Sequence, residues 1–120
     1  MLLVEDDPLI SDILARKLCG SNLGVFQASS GDKAFQILEK EKGVDVILLD
    51  LILPGMSGFE ILKKLKEHKI LSTIPVVILS NLNEEVEIEK AKQMGAIDYW
   101  VKIDVPLEEV ATRVKNICGA

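Results

Sequence analysis

Three carboxylates, a serine and a lysine stand out in this chain because each follows a short apolar run. Glu5 and Asp6 follow Leu2 to Val4, Asp50 ends Val44 to Leu49, Ser80 ends Pro75 to Leu79, and Lys102 ends Ala96 to Val101. Any one of them alone reads as the place where polar residues resume after a strand. As a set they make up the parts of one chemistry. Carboxylates gathered at one place repel each other and cost stability unless a cation is present. A hard divalent cation such as Mg²⁺ takes oxygen ligands in near-octahedral geometry and keeps some waters. One or two carboxylates plus a main-chain carbonyl then leave room for a phosphoryl oxygen. An aspartate can act as a nucleophile and carry an acyl phosphate, and a lysine with a hydroxyl can neutralise and hydrogen-bond the new phosphoryl oxygens.

That chemistry needs all five residues at one rim, and the hydropathy pattern supplies a frame that would put them there. Leu2 to Val4 reads as a strand, and Pro8 suits the first turn of a helix carrying Leu9, Ile10, Ile13, Leu14 and Leu18, stopped by Gly20 to Asn22. Gly24 to Ala28 is a weak strand, and Ser30-Gly31-Asp32 starts a helix with Ala34, Phe35, Ile37 and Leu38. Val44 to Leu49, apolar except for Asp45, fits a strand buried on both faces. Pro54-Gly55 and Ser57-Gly58 mark a loop and the start of a helix with Phe59, Ile61, Leu62 and Leu65. Pro75 to Leu79 is a fourth strand, ended by Ser80-Asn81. A helix from about Asn83 to Met94, with Gly95 as its stop, leads to a fifth strand over Ala96 to Val101. Pro106 opens a last helix with Leu107, Val110, Val114 and Ile117. Strands alternating with helices, without repeats or linkers, predict an α/β domain with a parallel sheet covered on both faces. Right-handed crossovers make it doubly wound. Ligands of such sheets bind outside the carboxyl ends of the strands.

Composition narrows the possibilities. The 120 residues are 48% hydrophobic and 28% charged, which fits a single domain over residues 1–120. Aromatics are only 4%, so the core is aliphatic and a stacking platform for single-stranded nucleic acid is not expected. A net charge of -5 and a pI of about 4.9 repel phosphate backbones and speak against direct nucleic-acid binding. Cys19 and Cys118, outside any CxxC or Cys/His cluster, read as reduced packing cysteines of a reducing compartment. No apolar run approaches the roughly 18 residues of a membrane span, and the first residues do not resemble a signal peptide. A cytoplasmic protein without a membrane partner is expected.

The segments LLVEDDPLI, VDVILLDLILPGMSGFEIL, PVVILSN and DYWVK resemble, in order, the signature blocks of the response-regulator receiver family, across almost the whole chain. The resemblance implies a flavodoxin-like (βα)5 three-layer sandwich with sheet order 2-1-3-4-5. It implies that Asp50, in the block D-x-x-x-P-x-x-x-G, is the phosphoacceptor. Asp6 would be a direct Mg²⁺ ligand, Glu5 an acidic neighbour acting largely through water, and Ile52 a ligand through its backbone carbonyl. Ser80 matches the hydroxyl residue that hydrogen-bonds the phosphoryl group, Lys102 the lysine that pairs with it, and Tyr99 the aromatic switch position. The implied donors are a sensor histidine kinase or a phosphotransfer protein. The implied receivers of the signal are an output domain, a downstream protein or a homodimer, engaged through helix four, strand five and helix five. Such a domain acts on no other substrate and catalyses only its own phosphorylation and dephosphorylation.

Three features depart from the family pattern. Lys102 is followed by Ile103 rather than proline, so the cis peptide often found there is not expected, because a non-proline cis bond costs about 2.5 to 4 kcal/mol. Asn81 stands where alanine or glycine is usual, beside the phosphoryl site and therefore in the path of attacking water. The chain opens almost directly on its first strand, as expected of a trimmed chain. Elsewhere, His68 reads as a solvated helix-end residue and Trp100 as packing. Glu84, Glu85, Glu87 and Glu89 read as the wet face of a helix that in this family often meets partners. A phosphate-transfer enzyme of the haloacid dehalogenase type would need a carboxylate where Ile52 stands. A flavin module of the same fold would need a phosphate-cradling loop where Glu5-Asp6-Asp7 stands. A pseudo-receiver, an interaction module that keeps the fold without using phosphorylation, is the remaining alternative.

Overall fold

The computed structural model describes residues 1–19 and 24–118. The helix stop expected at Gly20 to Asn22 and the side chain of Cys19 lie outside the described residues. The elements run β1 (Leu2–Val4), α1 (Pro8–Cys19), β2 (Phe26–Ala28), α2 (Gly31–Lys40), β3 (Ile47–Leu49), α3 (Gly58–Glu67), a 3-10 turn (Leu71–Thr73), β4 (Val76–Ser80), α4 (Glu85–Gln93), β5 (Asp98–Val101) and α5 (Leu107–Cys118). The strands form one parallel sheet in the order β2-β1-β3-β4-β5. This is the flavodoxin-like order that the resemblance implied.

The sheet is covered on both faces because successive strand residues point to opposite sides. Leu2, Val4, Ile47, Leu49, Val76, Ile78 and Tyr99 pack against α2, α3 and α4 through Ala34, Leu38, Ile61, Leu62, Leu65 and Ala91. Leu3, Leu48, Val77, Leu79 and Trp100 face the other way, onto Leu14 and Leu18 of α1 and Val110, Ala111 and Val114 of α5. With both faces buried, β1, β3 and β4 carry no polar alternation, which is why they read in the sequence as short continuous apolar runs; the edge strand β2 exposes Phe26 and Gln27. Each fully buried Leu or Ile contributes about 1.5 to 3 kcal/mol.

The helix ends follow local chemistry. Ser30 and Ser57 cap α2 and α3, their hydroxyls accepting from the Lys33 and Glu60 N–H groups at 3.3 Å. Gly95, at φ 106°, follows α4 in a conformation that side chains rarely adopt. Several boundaries differ from the pattern reading. β3 begins at Ile47 rather than Val44, although Val44 and Val46 are both buried. An apolar run marks burial, whereas strand pairing starts only where Leu2 N–H reaches the Val46 carbonyl (3.0 Å). α4 begins at Glu85, after Glu84 in extended backbone, so Asn83 lies outside the helix. Val86 is exposed, and it is Ile88 and Ala91 that turn toward the core.

Candidate functional site

The sheet order sets β1, β3, β4 and β5 side by side, so their carboxyl ends share one rim. Backbone bonds fix the alignment: Asp50 N–H donates to Val4 O (3.0 Å), Glu5 N–H to Ala28 O (2.9 Å) and Lys102 N–H to Ser80 O (2.9 Å). Residues 5, 50, 80 and 102 are thereby held by main chain before any side chain is considered. Ser80 is the last residue of β4 rather than the first of the loop, and it is fully buried.

The side chains converge as the sequence suggested. Oxygens of Glu5, Asp6 and Asp50 all lie within 4.8 Å of one another. The Lys102 ammonium sits 2.6 Å from Asp50 Oδ2 and 2.6 Å from Glu5 Oε1. Glu5 and Asp50 are only 3% and 4% exposed, so both carboxylates have left bulk water and Lys102 is the cation that compensates them. Burial pushes the Glu5 carboxyl up, with the charge of Asp50 adding to it, although the bond from Lys102 and that from the Asp7 N–H oppose the rise. Burial alone would lower Lys102, but hydrogen bonds to Asp50 and Glu5 outweigh it and raise the ammonium above its usual range.

The remaining lone pairs are partly assigned. Asp50 Oδ1 accepts from the Ile52 N–H at 3.1 Å, so Ile52 serves the site through its main chain while its side chain stands 55% exposed. Glu5 Oε2 accepts from the Asp7 N–H at 3.1 Å. Asp6 is exposed and has no hydrogen-bond or ion-pair partner among the described residues.

Gly58 sets how close α3 approaches. Its N–H donates to Leu51 O at 3.0 Å, and a Cβ there would stand 2.3 Å from the Asp50 carbonyl oxygen and 2.4 Å from Leu51 Cα. The glycine four residues after Pro54 is therefore a contact requirement. It lets the N-terminus of α3 rest on the backbone that carries Asp50.

Tyr99 is buried, and its hydroxyl donates to the Leu82 carbonyl at 2.5 Å. Burial raises its pKa above the usual range. The negative charges of Glu87 and Asp50 add to the rise, and a bond with Ser80 opposes it. Trp100 turns to the opposite face, where its Nε1 donates to Asp98 Oδ2 (3.0 Å) and Arg113 lies 5.4 Å from its ring. Its packing role stands. His68 is exposed at the end of α3, where Nδ1 accepts from the Ile70 and Leu71 N–H groups at 3.1 Å each.

Two contributors escape a reading of side-chain types. One is Asp7, whose N–H holds Glu5 and whose Oδ1 accepts from the Leu9 N–H at 3.0 Å as α1 begins. An aspartate immediately before Pro8 is a helix-start signal that would have found it. The other is the Leu82 carbonyl, a backbone group with no sequence signal.

Residues 1–115 match the family model of the response regulator receiver domain. The rice (Oryza sativa subsp. indica) two-component response regulator ORR3 is 33% identical over 102 residues, spanning 85% of this chain and 78% of that protein. Two solved structures share the fold. The Mn(2+)-bound form of response regulator Rcp1 has a TM-score of 0.81 at 26% identity, covering 96% of this chain and 90% of that one. The BeF3-activated N-terminal receiver domain of Klebsiella pneumoniae RstA has a TM-score of 0.85 at 28% identity, covering 99% and 97%. With its doubly wound sheet and its acidic rim paired to a lysine, the chain belongs to the response regulator receiver domain family. Its place is among the two-component response regulators. No helix among the described residues is long and apolar enough to cross a membrane.

Proposed function

We propose that Asp50 accepts a phosphoryl group from a sensor histidine kinase or a phosphotransfer protein, with Mg²⁺, and that this switches the surface of α4, β5 and α5 toward an output domain, a downstream protein or a second copy. The observation that carries the reading is the convergence of Glu5, Asp6 and Asp50 within 4.8 Å with Lys102 at 2.6 Å from Asp50. In the transfer, an Asp50 carboxylate oxygen bonds to phosphorus as the phosphorus–nitrogen bond of a phosphohistidine breaks. The bonding pair leaves on the imidazole nitrogen.

The donor set suits Mg²⁺, being hard carboxylate oxygens at the carboxyl ends of two paired strands, β1 and β3. Asp6, exposed and unpartnered among the described residues, and Asp50 would be direct ligands, with the Ile52 carbonyl as a third. Glu5, buried and already engaged by Lys102 and Asp7, fits the outer position reached through water. Bound there, the ion would neutralise carboxylate charge and the charge of the incoming phosphoryl oxygens. Rcp1 was crystallised with Mn²⁺ and RstA with a beryllium fluoride activator, which supports both ligand classes for a site of this kind.

The chain's own residues do the rest. A phosphoryl group adds about -1.5 to -2 charges, and Lys102 and Ser80 would be the cation and hydroxyl that meet it. Drawing Ser80 toward the phosphoryl group would disturb the loop that carries the Leu82 carbonyl, to which Tyr99 donates. Catalysis is confined to the domain's own phosphorylation and dephosphorylation, in a cytoplasmic phosphorelay. The pseudo-receiver reading gains nothing from a site in which every acid, hydroxyl and lysine of the set is present. Borohydride trapping after phosphorylation tests the acceptor, because reduction of an aspartyl phosphate yields homoserine. The peptide containing residue 50 is expected to carry that change, and its appearance at another residue would overturn the assignment.

A further inference from the structure

We propose that the end of the domain opposite Asp50 carries a second, separate binding site, for a small amphiphile with an apolar body and an ammonium end. A cavity of about 440 Å³ opens there between the end of α2, the residues entering β3 and the 3-10 turn before β4. That volume falls in the range of about 300 to 1,000 Å³ that small-ligand pockets occupy. Its walls are Phe35, Leu38, Val44, Leu71 and Ile74. Leu38 and Val44 are buried, whereas Phe35, Leu71 and Ile74 are only partly covered.

The wall is preformed. His68 Nδ1 accepts from the N–H groups of Ile70 and Leu71, the Thr73 hydroxyl donates to Ile70 O at 2.7 Å, and the Ser72 hydroxyl donates to Lys69 O at 3.2 Å. Ile74 N–H adds a bond to Leu71 O at 3.1 Å. These bonds order the backbone around Ile70, whose side chain lines the cavity and is 72% exposed. Apolar surface left in water beside an open apolar cavity is hydrophobic free energy that a ligand can collect.

Charge selects the ligand's polar end. Of the lining residues that carry charge, Glu39 and Glu41 are acidic and Lys42 is basic; all three are exposed, and none has an ion-pair partner among the described residues. A cation gains there and a carboxylate is repelled.

The test is an amide chemical-shift titration of the full chain with phenylbutylamine, phenylbutanol and phenylbutanoate, which share one apolar body. Saturable shifts confined to residues 35–44 and 68–74 are expected, with the amine binding several-fold tighter than the alcohol and the carboxylate weakest. Glu39→Gln with Glu41→Gln should bring the amine down to the alcohol's affinity. Ile70→Ser, at an exposed position that leaves the fold intact, should weaken all three. Shifts that do not saturate or that scatter over the surface would overturn the site. Equal binding of amine and carboxylate would overturn its charge preference.

Discussion

Lys102 and Asp50, 52 residues apart in sequence, meet at 2.6 Å because β5 and β3 end at the same rim. The same ammonium reaches Glu5 at 2.6 Å, so one lysine is shared by two buried carboxylates while the third, Asp6, faces solvent. One ammonium against two buried carboxylates leaves a net negative charge beside the exposed Asp6, and in the proposed reading that excess is what an external cation would meet.

Asp6→Ala should therefore abolish Mg²⁺ binding. Losing groups that merely orient a metal ligand weakens affinity about 10- to 100-fold, and loss of a direct ligand should exceed that. Calorimetry is the suitable readout, because Trp100 lies on the face of the sheet turned to α1 and α5 and is poorly placed to report the site. Normal affinity in the variant would remove Asp6 from the ligand set.

Lys102→Ala leaves Glu5 and Asp50 buried without their counter-charge, a loss that typically costs about 3 to 5 kcal/mol. Urea unfolding without metal should show that loss, and added Mg²⁺ should stabilise the variant more than the wild type. Metal binding should persist, while the chemical-shift changes on phosphorylation shrink. Unaltered shift changes would rule out the lysine's role in the switch.

Gly58→Ala should destabilise the fold by about 1 to 3 kcal/mol, toward the upper end because backbone rather than a movable side chain meets the new methyl group. Gly43→Ala, whose Cβ would meet nothing within 4 Å, is the matched control. A lowered urea midpoint for the first variant alone is the expected result.

Tyr99 is the only tyrosine, so tyrosinate absorbance reads it without ambiguity. Its raised pKa means the folded protein keeps the phenolic proton above pH 10, where the unfolded chain gives it up. The unfolded state then binds fewer protons, and stability falls as pH climbs from the ordinary value of 10.0 toward the folded one. Tyr99→Phe should lose about 0.5 to 1.5 kcal/mol at neutral pH, with the bond to Leu82 O. It should also lose the tyrosine-linked part of the alkaline fall. Ordinary titration of the folded wild type would contradict the buried, hydrogen-bonded placement.

The strand runs, the helix stripes and every acid at the rim were legible because a sheet buried on both faces announces itself as apolar runs that end in polar residues. The strand order was not written in those runs. It came from the family resemblance, and pairings such as Leu2 with both Phe26 and Ile47 depend on crossovers that no local pattern encodes. The strand boundary drifted at Val44 because hydropathy records burial and not hydrogen bonding, and at Gly24, which is exposed, because ladder pairing begins only at Phe26. The bridging of Glu5 by Lys102 was missed for a related reason. Side-chain type predicts that a lysine will find an anion, but only the geometry of the rim decides that it finds two.

Intact-protein mass spectrometry after incubation with acetyl phosphate, with and without Mg²⁺, tests the central claim on the wild type and on Asp50→Asn. One acid-labile phosphoryl group that appears only with Mg²⁺ and only when Asp50 is present is the predicted result. A wild-type chain that gains no phosphoryl group from acetyl phosphate or from a phosphorylated histidine donor, or an Asp50→Asn chain that gains one as readily, would contradict it.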